Sequence, residues 1–152
     1  MININLVCVG TLKEKFWVDA EKEYQKRLGK FCKIKVIELA QQDKFENAEK
    51  IKEAEGKEIL ENIEGKVYLL DIKGKELSSE EFAQEIDKSC LTSSTITFVI
   101  GGSCGVSEQV KTKIQNKISF GRVTFPHNLA RIICQEQIYR AFMILSGAKY
   151  HK

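Results

Sequence analysis

The chain has 152 residues, 43% of them apolar and 30% charged, with 24 basic against 21 acidic side chains and a formal net charge of +3. That length suits a single domain, residues 1–152, which buries roughly 68–70% of its unfolded surface and so holds a real core. No apolar run approaches the roughly 20 residues needed to span a bilayer, and the five cysteines, scattered without a Cys-x-x-Cys pair, suggest neither a disulfide framework nor a zinc site.

The opening Met1 to Leu6 lacks the basic start and small-residue cleavage site of a secretory signal, so the expected compartment is the cytoplasm. A sequence pI of 8.5 falls below the value above ~9 typical of strongly nucleic-acid-binding domains. RNA binding would have to use local clusters such as Arg27, Lys30, Lys33 and Lys35, or Lys149 and Lys152 at the tail.

In chain order, Ile2 to Val9 begins with alternation and ends as a solid apolar run closed by Gly10, the pattern of a strand buried on both faces. Phe16, Trp17, Ala20, Tyr24 and Leu28 keep helical spacing, with Gly29 where a left-handed cap belongs. Ile34, Val36, Ile37 and Leu39 predict a second strand. Phe45, Ala48, Ile51, Ile59 and Ile63 mark one face of a helix ending at Gly65, whose charged side reads as a solvated face carrying Glu46–Lys50 and Glu53–Lys57 pairs. Val67 to Ile72 is a third strand, ended by a turn at Lys73-Gly74-Lys75. Ser78 and Glu81 have capping-box spacing ahead of Phe82, Ala83 and Ile86.

Ile96 to Ile100 is a fourth strand running into Gly101-Gly102-Ser103-Cys104-Gly105, after which Ser107 can cap a helix carrying Val110 and Ile114. Ser119 to Phe125 reads as a fifth strand, followed by the only proline, Pro126, by His127, and by a long helix. Strands alternating with helices predict an α/β fold with a mostly parallel five- to six-stranded sheet covered on both faces. Ligands of such sheets bind outside the carboxyl ends of the strands, here Gly10-Thr11, Leu70 to Gly74, Gly101 to Gly105 and Gly121 to His127.

The glycine loop at 101–105 lets backbone amides approach a ligand closely. It matches neither a P-loop nor the dinucleotide fingerprint, so it reads equally as a tight turn or a ligand loop. Cys104 as a nucleophile would have only a distant histidine for support, and Cys104→Ser is expected to be tolerated. The last helix is apolar almost all round, through Leu129, Ile132, Ile133, Cys134, Ile138, Ala141, Phe142, Ile144 and Leu145, which implies burial on several sides and cover from a second subunit. On it, Arg131–Gln135 and Glu136–Arg140 form polar pairs that could be intrahelical, or could orient a phosphate or a facing subunit.

Val9 to Trp17 (V-G-T-L-K-E-K-F-W), Leu70 to Lys75 (L-D-I-K-G-K), Phe98 to Gly105 (F-V-I-G-G-S-C-G), Thr124 to Arg131 (T-F-P-H-N-L-A-R), Glu136 to Phe142 (E-Q-I-Y-R-A-F) and the terminal Y-H-K together resemble the RlmH (YbeA-like) family of SPOUT methyltransferases. The resemblance covers the whole chain. It implies a C-terminal part threaded as a deep trefoil knot, a homodimer, and S-adenosylmethionine as donor of a methyl group to N3 of a pseudouridine in 23S rRNA, within assembled ribosomes. No metal and no membrane are implied.

The family's cofactor positions carry over to Leu70, Gly101, the neighbouring Gly102, and the run Phe120, Gly121, Arg122, Val123, Thr124 and Phe125. These fall in three of the strand-end loops. The expected catalytic set is His151 or Tyr150, supplied in cis or by the partner's tail, with Arg131 or Arg140 binding phosphate or stabilising developing charge. The alternative reading is a non-catalytic nucleotide-binding or RNA-binding module on the same scaffold.

Overall fold

A computed structural model describes every residue from Met1 to Lys152. The chain runs β1 (Ile2–Val9), α1 (Lys15–Leu28), β2 (Cys32–Leu39), α2 (Ala48–Glu61), β3 (Lys66–Glu76), α3 (Ser79–Thr92), β4 (Thr95–Ile100), α4 (Glu108–Lys113), β5 (Asn116–Ser119) and α5 (His127–Leu145). The five strands make one sheet in the order β2-β1-β4-β3-β5, and all pair in parallel. All their carboxyl ends therefore open on one edge of the molecule.

The period-2 pattern of the strands divides the interior in two. Ile4, Leu6 and Cys8 of β1, Tyr68 of β3, and Ile96, Phe98 and Ile100 of β4 meet Leu28 of α1, Phe82 and Ile86 of α3, and Cys134, Ile138 and Ala141 of α5. Val7, Val9, Leu69 and Val99 point the other way, onto Ile59 of α2 and Val110 of α4. Phe98 is fully buried, its ring centroid 5.5 Å from that of Tyr68 and 5.8 Å from that of Phe82. Truncating it to Ala would cost about 3–5 kcal/mol.

Local signals set the helix starts. Ser78 and Glu81 form the reciprocal capping box, and Asn47 and Ser107 accept from the backbone amides of Glu49 and Val110. Helix α5 packs between α1 and α3, with Ile132, Cys134, Ile138 and Ala141 buried, while Leu129, Ile133, Phe142 and Ile144 are only half-buried and Leu145 is exposed.

Several expectations are corrected. The fifth strand stops at Ser119 instead of running to Phe125; residues 120–126 leave the sheet as a loop, turned at Gly121 with φ +119. Helix α2 starts after its Asn47 cap and ends at Glu61, so Phe45 and Ile63 lie outside it. Gly65 instead enters β3 with φ +71, where a Cβ would stand 2.1 Å from the Thr95 carbonyl oxygen. Gly29 is right-handed, φ −58, rather than a left-handed cap. Strand β3 passes straight through Lys73-Gly74-Lys75 to Glu76, with a register shift against β5 between Leu70 and Lys75. On α2 the ion pair is Lys52–Glu49 rather than Glu46–Lys50 or Glu53–Lys57, and its Glu55 is buried rather than on a solvated face.

Candidate active site

A pocket of about 290 Å³ opens at the carboxyl ends of β3, β4 and β5, at the lower edge of the roughly 300–1,000 Å³ of small-molecule sites. Leu70, Asp71 and Ile72 line one side, Ile100 to Gly102 with Gly105 and Val106 a second, and Ser119 to Gly121 with Val123 to Phe125 a third. The first turn of α5 contributes His127 and Ala130. Eight of the nine expected cofactor residues thus meet in one cavity: Leu70, Gly101, Gly102, Phe120, Gly121, Val123, Thr124 and Phe125. Arg122 is exposed and does not line it. Thr124 and Val123 are exposed at the rim, while Phe120 is anchored edge-on against Phe82 at 6.0 Å.

The walls are built by close backbone approach. A Cβ on Gly101 would stand 2.7 Å from Val106 Cγ1, and one on Gly102 would stand 3.0 Å from Val9 Cγ1 and 3.2 Å from Glu55 Oε1. The loop is clipped across its base by the Gly105 amide donating to the Gly102 carbonyl at 3.0 Å. Ser119 Oγ donates to the Gly121 carbonyl at 2.7 Å and accepts from the Gly121 amide at 3.2 Å, fixing the turn of the third wall.

The tail forms a second cluster. Arg140 donates to Glu136 Oε1 through Nε at 3.0 Å and Nη2 at 2.7 Å, and its guanidinium carbon lies 4.7 Å from the centroid of the Tyr150 ring. The Tyr150 hydroxyl donates to the same Glu136 oxygen at 3.3 Å. His151 bridges Arg140 Nη1, 3.2 Å from Nδ1, and Glu80 Oε1, 2.5 Å from Nε2. An arginine nitrogen facing Nδ1 leaves that atom as acceptor and puts the ring proton on Nε2 in the neutral tautomer. Burial, followed by the Glu136 charge, pushes the Tyr150 phenol above its ordinary value. The bond to Glu136 holds the Arg140 guanidinium up.

Arg131 does not face either cluster as a free cation. Its Nε and Nη2 lie 2.6 and 2.9 Å from the two oxygens of Glu21, and Nη1 lies 2.8 Å from Glu38 Oε2. Gln135 Nε2 donates to Glu21 Oε2 at 2.9 Å and to the Arg131 carbonyl at 3.3 Å. With Arg131 only 4% exposed, both edges of the guanidinium are spent on carboxylates, which removes it from the surface available to phosphate. Glu21, Glu38 and Glu55 are the polar groups that sequence reasoning missed. Each sits in an ordinary charged stretch; the tertiary fold buries Glu55, half-buries Glu21, and draws Glu38, still exposed on its edge strand, onto Arg131.

Residues 2–151 match a family described as "Predicted SPOUT methyltransferase". The chain is 52% identical to the Ribosomal RNA large subunit methyltransferase H of Lactobacillus acidophilus, over 99% of this chain and 100% of the relative. It is 48% identical to the protein of the same name from Clostridium botulinum (strain Kyoto / Type A2), with the same coverage. To that of Caldicellulosiruptor saccharolyticus it is 46% identical, over 98% of this chain and 99% of the relative.

Methyltransferases of this family take their methyl group from S-adenosylmethionine. The pocket fits such a molecule: apolar side chains can hold a flat base, glycines at 101 and 102 leave backbone bare, and Asp71, Lys111 and His127 supply charge or polarity for an amino-acid tail. The chain belongs to the SPOUT methyltransferase family.

Proposed function

We propose that this chain methylates N3 of a pseudouridine in 23S rRNA within the assembled ribosome, working as a cytoplasmic homodimer. The observation that carries the reading is the meeting of the expected cofactor residues in one pocket at the carboxyl edge of the sheet. The names of the full-length relatives support rRNA as the class of substrate. No helix is long and apolar enough to cross a membrane, and no cluster of side chains could hold a metal. We also read the return of the chain from edge strand β5 to the middle of the sheet, through residues 120–126 and α5, as the crossing of a trefoil knot.

In this reading the backbone around Leu70, Gly101, Gly102 and Phe120 to Phe125 grips the cofactor, with Arg122 outside the wall. Bound there, S-adenosylmethionine supplies an electrophilic methyl group on a sulfonium. The chain's own work is to align acceptor and donor and to take one proton from the base nitrogen. His151 takes it on Nδ1, the nitrogen without a proton, once the target base displaces Arg140 Nη1 from that atom. Tyr150 holds its phenolic proton at neutral pH, so it positions rather than deprotonates. Arg140, its Nη1 already beside His151, meets phosphate or developing negative charge, whereas Arg131 holds the fold.

Within one chain the tail and the pocket do not share a residue. The pocket touches α5 at His127 and Ala130, the tail touches it at Glu136 and Arg140, and the six-residue rise from Ala130 to Glu136 spans about 9 Å. A second copy that brings its tail to the pocket removes that gap, which favours a site shared across a dimer. Transfer of tritiated methyl groups to ribosomes tests the function. The full chain should label 23S rRNA, and a chain lacking Tyr150 to Lys152 should fold yet not label. A fully active truncation overturns the roles given to the tail.

A further inference from the structure

Helix α2 carries an acid that nothing above uses. Glu55 is 4% exposed. Its Oε2 accepts from the Gln42 amide at 3.2 Å, while Oε1 is buried without a hydrogen-bond partner. That orphan oxygen lies against Gly102, only 3.2 Å from where a Cβ would stand, and Gly102 is part of the pocket wall. The carboxyl group does not itself line the cavity; it packs, beside Val9, on a glycine that does. The next residue, Gly56, packs so tightly on α4 that a Cβ would meet Ser107 Oγ at 2.6 Å, so the helix cannot easily turn the acid away.

A buried carboxyl group with one oxygen left without a partner is costly. Retained behind a ligand pocket, it projects a negative potential that water screens poorly. The cofactor read into this pocket is a cation, and its demethylated product is a neutral thioether.

We propose that Glu55 is a specificity residue that acts through the Gly102 wall, making the pocket favour a sulfonium ligand over the neutral product. The proposal rests on the pocket being the S-adenosylmethionine site. The other charged groups facing Glu55 are Asp43 and Glu58, which oppose its ionisation, and His127, which favours it. Burial is the largest influence and pushes its carboxyl above the ordinary value. A cation arriving in the pocket opposes that push, so binding the sulfonium should expel a proton from the fraction of Glu55 that is protonated. A neutral ligand should expel none from it.

Calorimetry on the full-length protein tests this, with S-adenosylmethionine and S-adenosylhomocysteine as probes at pH 5 to 7 in buffers of different ionisation enthalpy. Wild type should release protons on binding the first and fewer on binding the second. Glu55→Gln should abolish that difference and shift the ratio of the two affinities toward the neutral ligand by roughly 3- to 30-fold, the effect of a unit charge partly screened by protein. An unchanged ratio and unchanged proton release in Glu55→Gln overturn the proposal while leaving the pocket assignment intact. Binding that survives Gly101→Leu, or no binding by wild type, overturns the pocket assignment and the proposal with it.

Discussion

Arg131 lays its guanidinium along the Glu21 carboxylate in a two-bond fork, Nε to Oε2 at 2.6 Å and Nη2 to Oε1 at 2.9 Å, and so ties α5 to α1. The third nitrogen reaches Glu38 at the end of β2, which also accepts from the Leu12 amide at 3.4 Å. Removing Glu21 leaves the buried guanidinium with only the exposed Glu38 as counter-charge, so Glu21→Ala should be strongly destabilising, approaching the roughly 3–5 kcal/mol of an uncompensated buried charge. Arg131→Lys should also be destabilising, because an ammonium cannot make the fork. Urea denaturation of the purified variants measures both. If Arg131→Ala is as stable as wild type but fails to bind ribosomes, the arginine serves RNA rather than the fold.

Glu55 has an opposite effect on stability. Its carboxyl is raised above the ordinary value by burial, so between those two values the folded state holds more protons than the unfolded state. Stability contributed by the group therefore falls as pH rises through that window and stays low above it. Glu55→Gln should melt a few degrees higher than wild type at pH 7 without ligand, and the gap should shrink toward pH 4. Thermal melts across that range check it, and a lower melting temperature for Glu55→Gln at pH 7 would contradict it.

The pocket walls make separate predictions. Gly101→Leu places atoms where a Cβ already meets Val106 Cγ1 at 2.7 Å, and should reduce cofactor affinity at least tenfold by calorimetry. Gly121→Ala meets nothing within 4 Å but must adopt φ +119. That strain, of order 1–3 kcal/mol, should distort the third wall and weaken binding less than Gly101→Leu does.

Much of this was legible in the chain. The solid apolar runs at Leu6 to Val9 and Ile96 to Ile100 could only be strands buried on both faces, and their order with the intervening helices implied a parallel sheet and a ligand at its carboxyl edge. Ser119 to Phe125 misled because Val123 and Phe125 alternate like a strand, yet they line a cavity. The burial of Glu55 and the pairing of Glu21 and Glu38 with Arg131 were invisible, since each acid lies in a charged helical or edge-strand stretch and meets its surroundings only through elements distant in sequence. Gln135 pairs with Arg131 as the i,i+4 spacing suggested, but the partner that buries both is 110 residues from Arg131.

The tail residues should separate by chemistry. His151→Ala removes the proposed proton acceptor and should lower the methylation rate by a factor of 10² or more, in the range of general-base losses. Tyr150→Phe keeps the ring against Tyr139, 5.0 Å away, and loses only the bond to Glu136, so a loss below tenfold is expected. Single-turnover rates on ribosomes make the comparison. A larger loss for Tyr150→Phe than for His151→Ala would reverse the roles.

The shared site is tested most directly by mixing two inactive chains, Gly101→Leu and a truncation lacking Tyr150 to Lys152, under conditions that let subunits exchange. If each site joins one chain's pocket to its partner's tail, a mixed dimer contains one intact pair, and transfer of tritiated methyl groups to ribosomes should recover toward half the wild-type rate per mixed dimer. If pocket and tail act within one chain, every site in the mixture lacks one of the two, and labelling no higher than that of the separate variants would contradict the account.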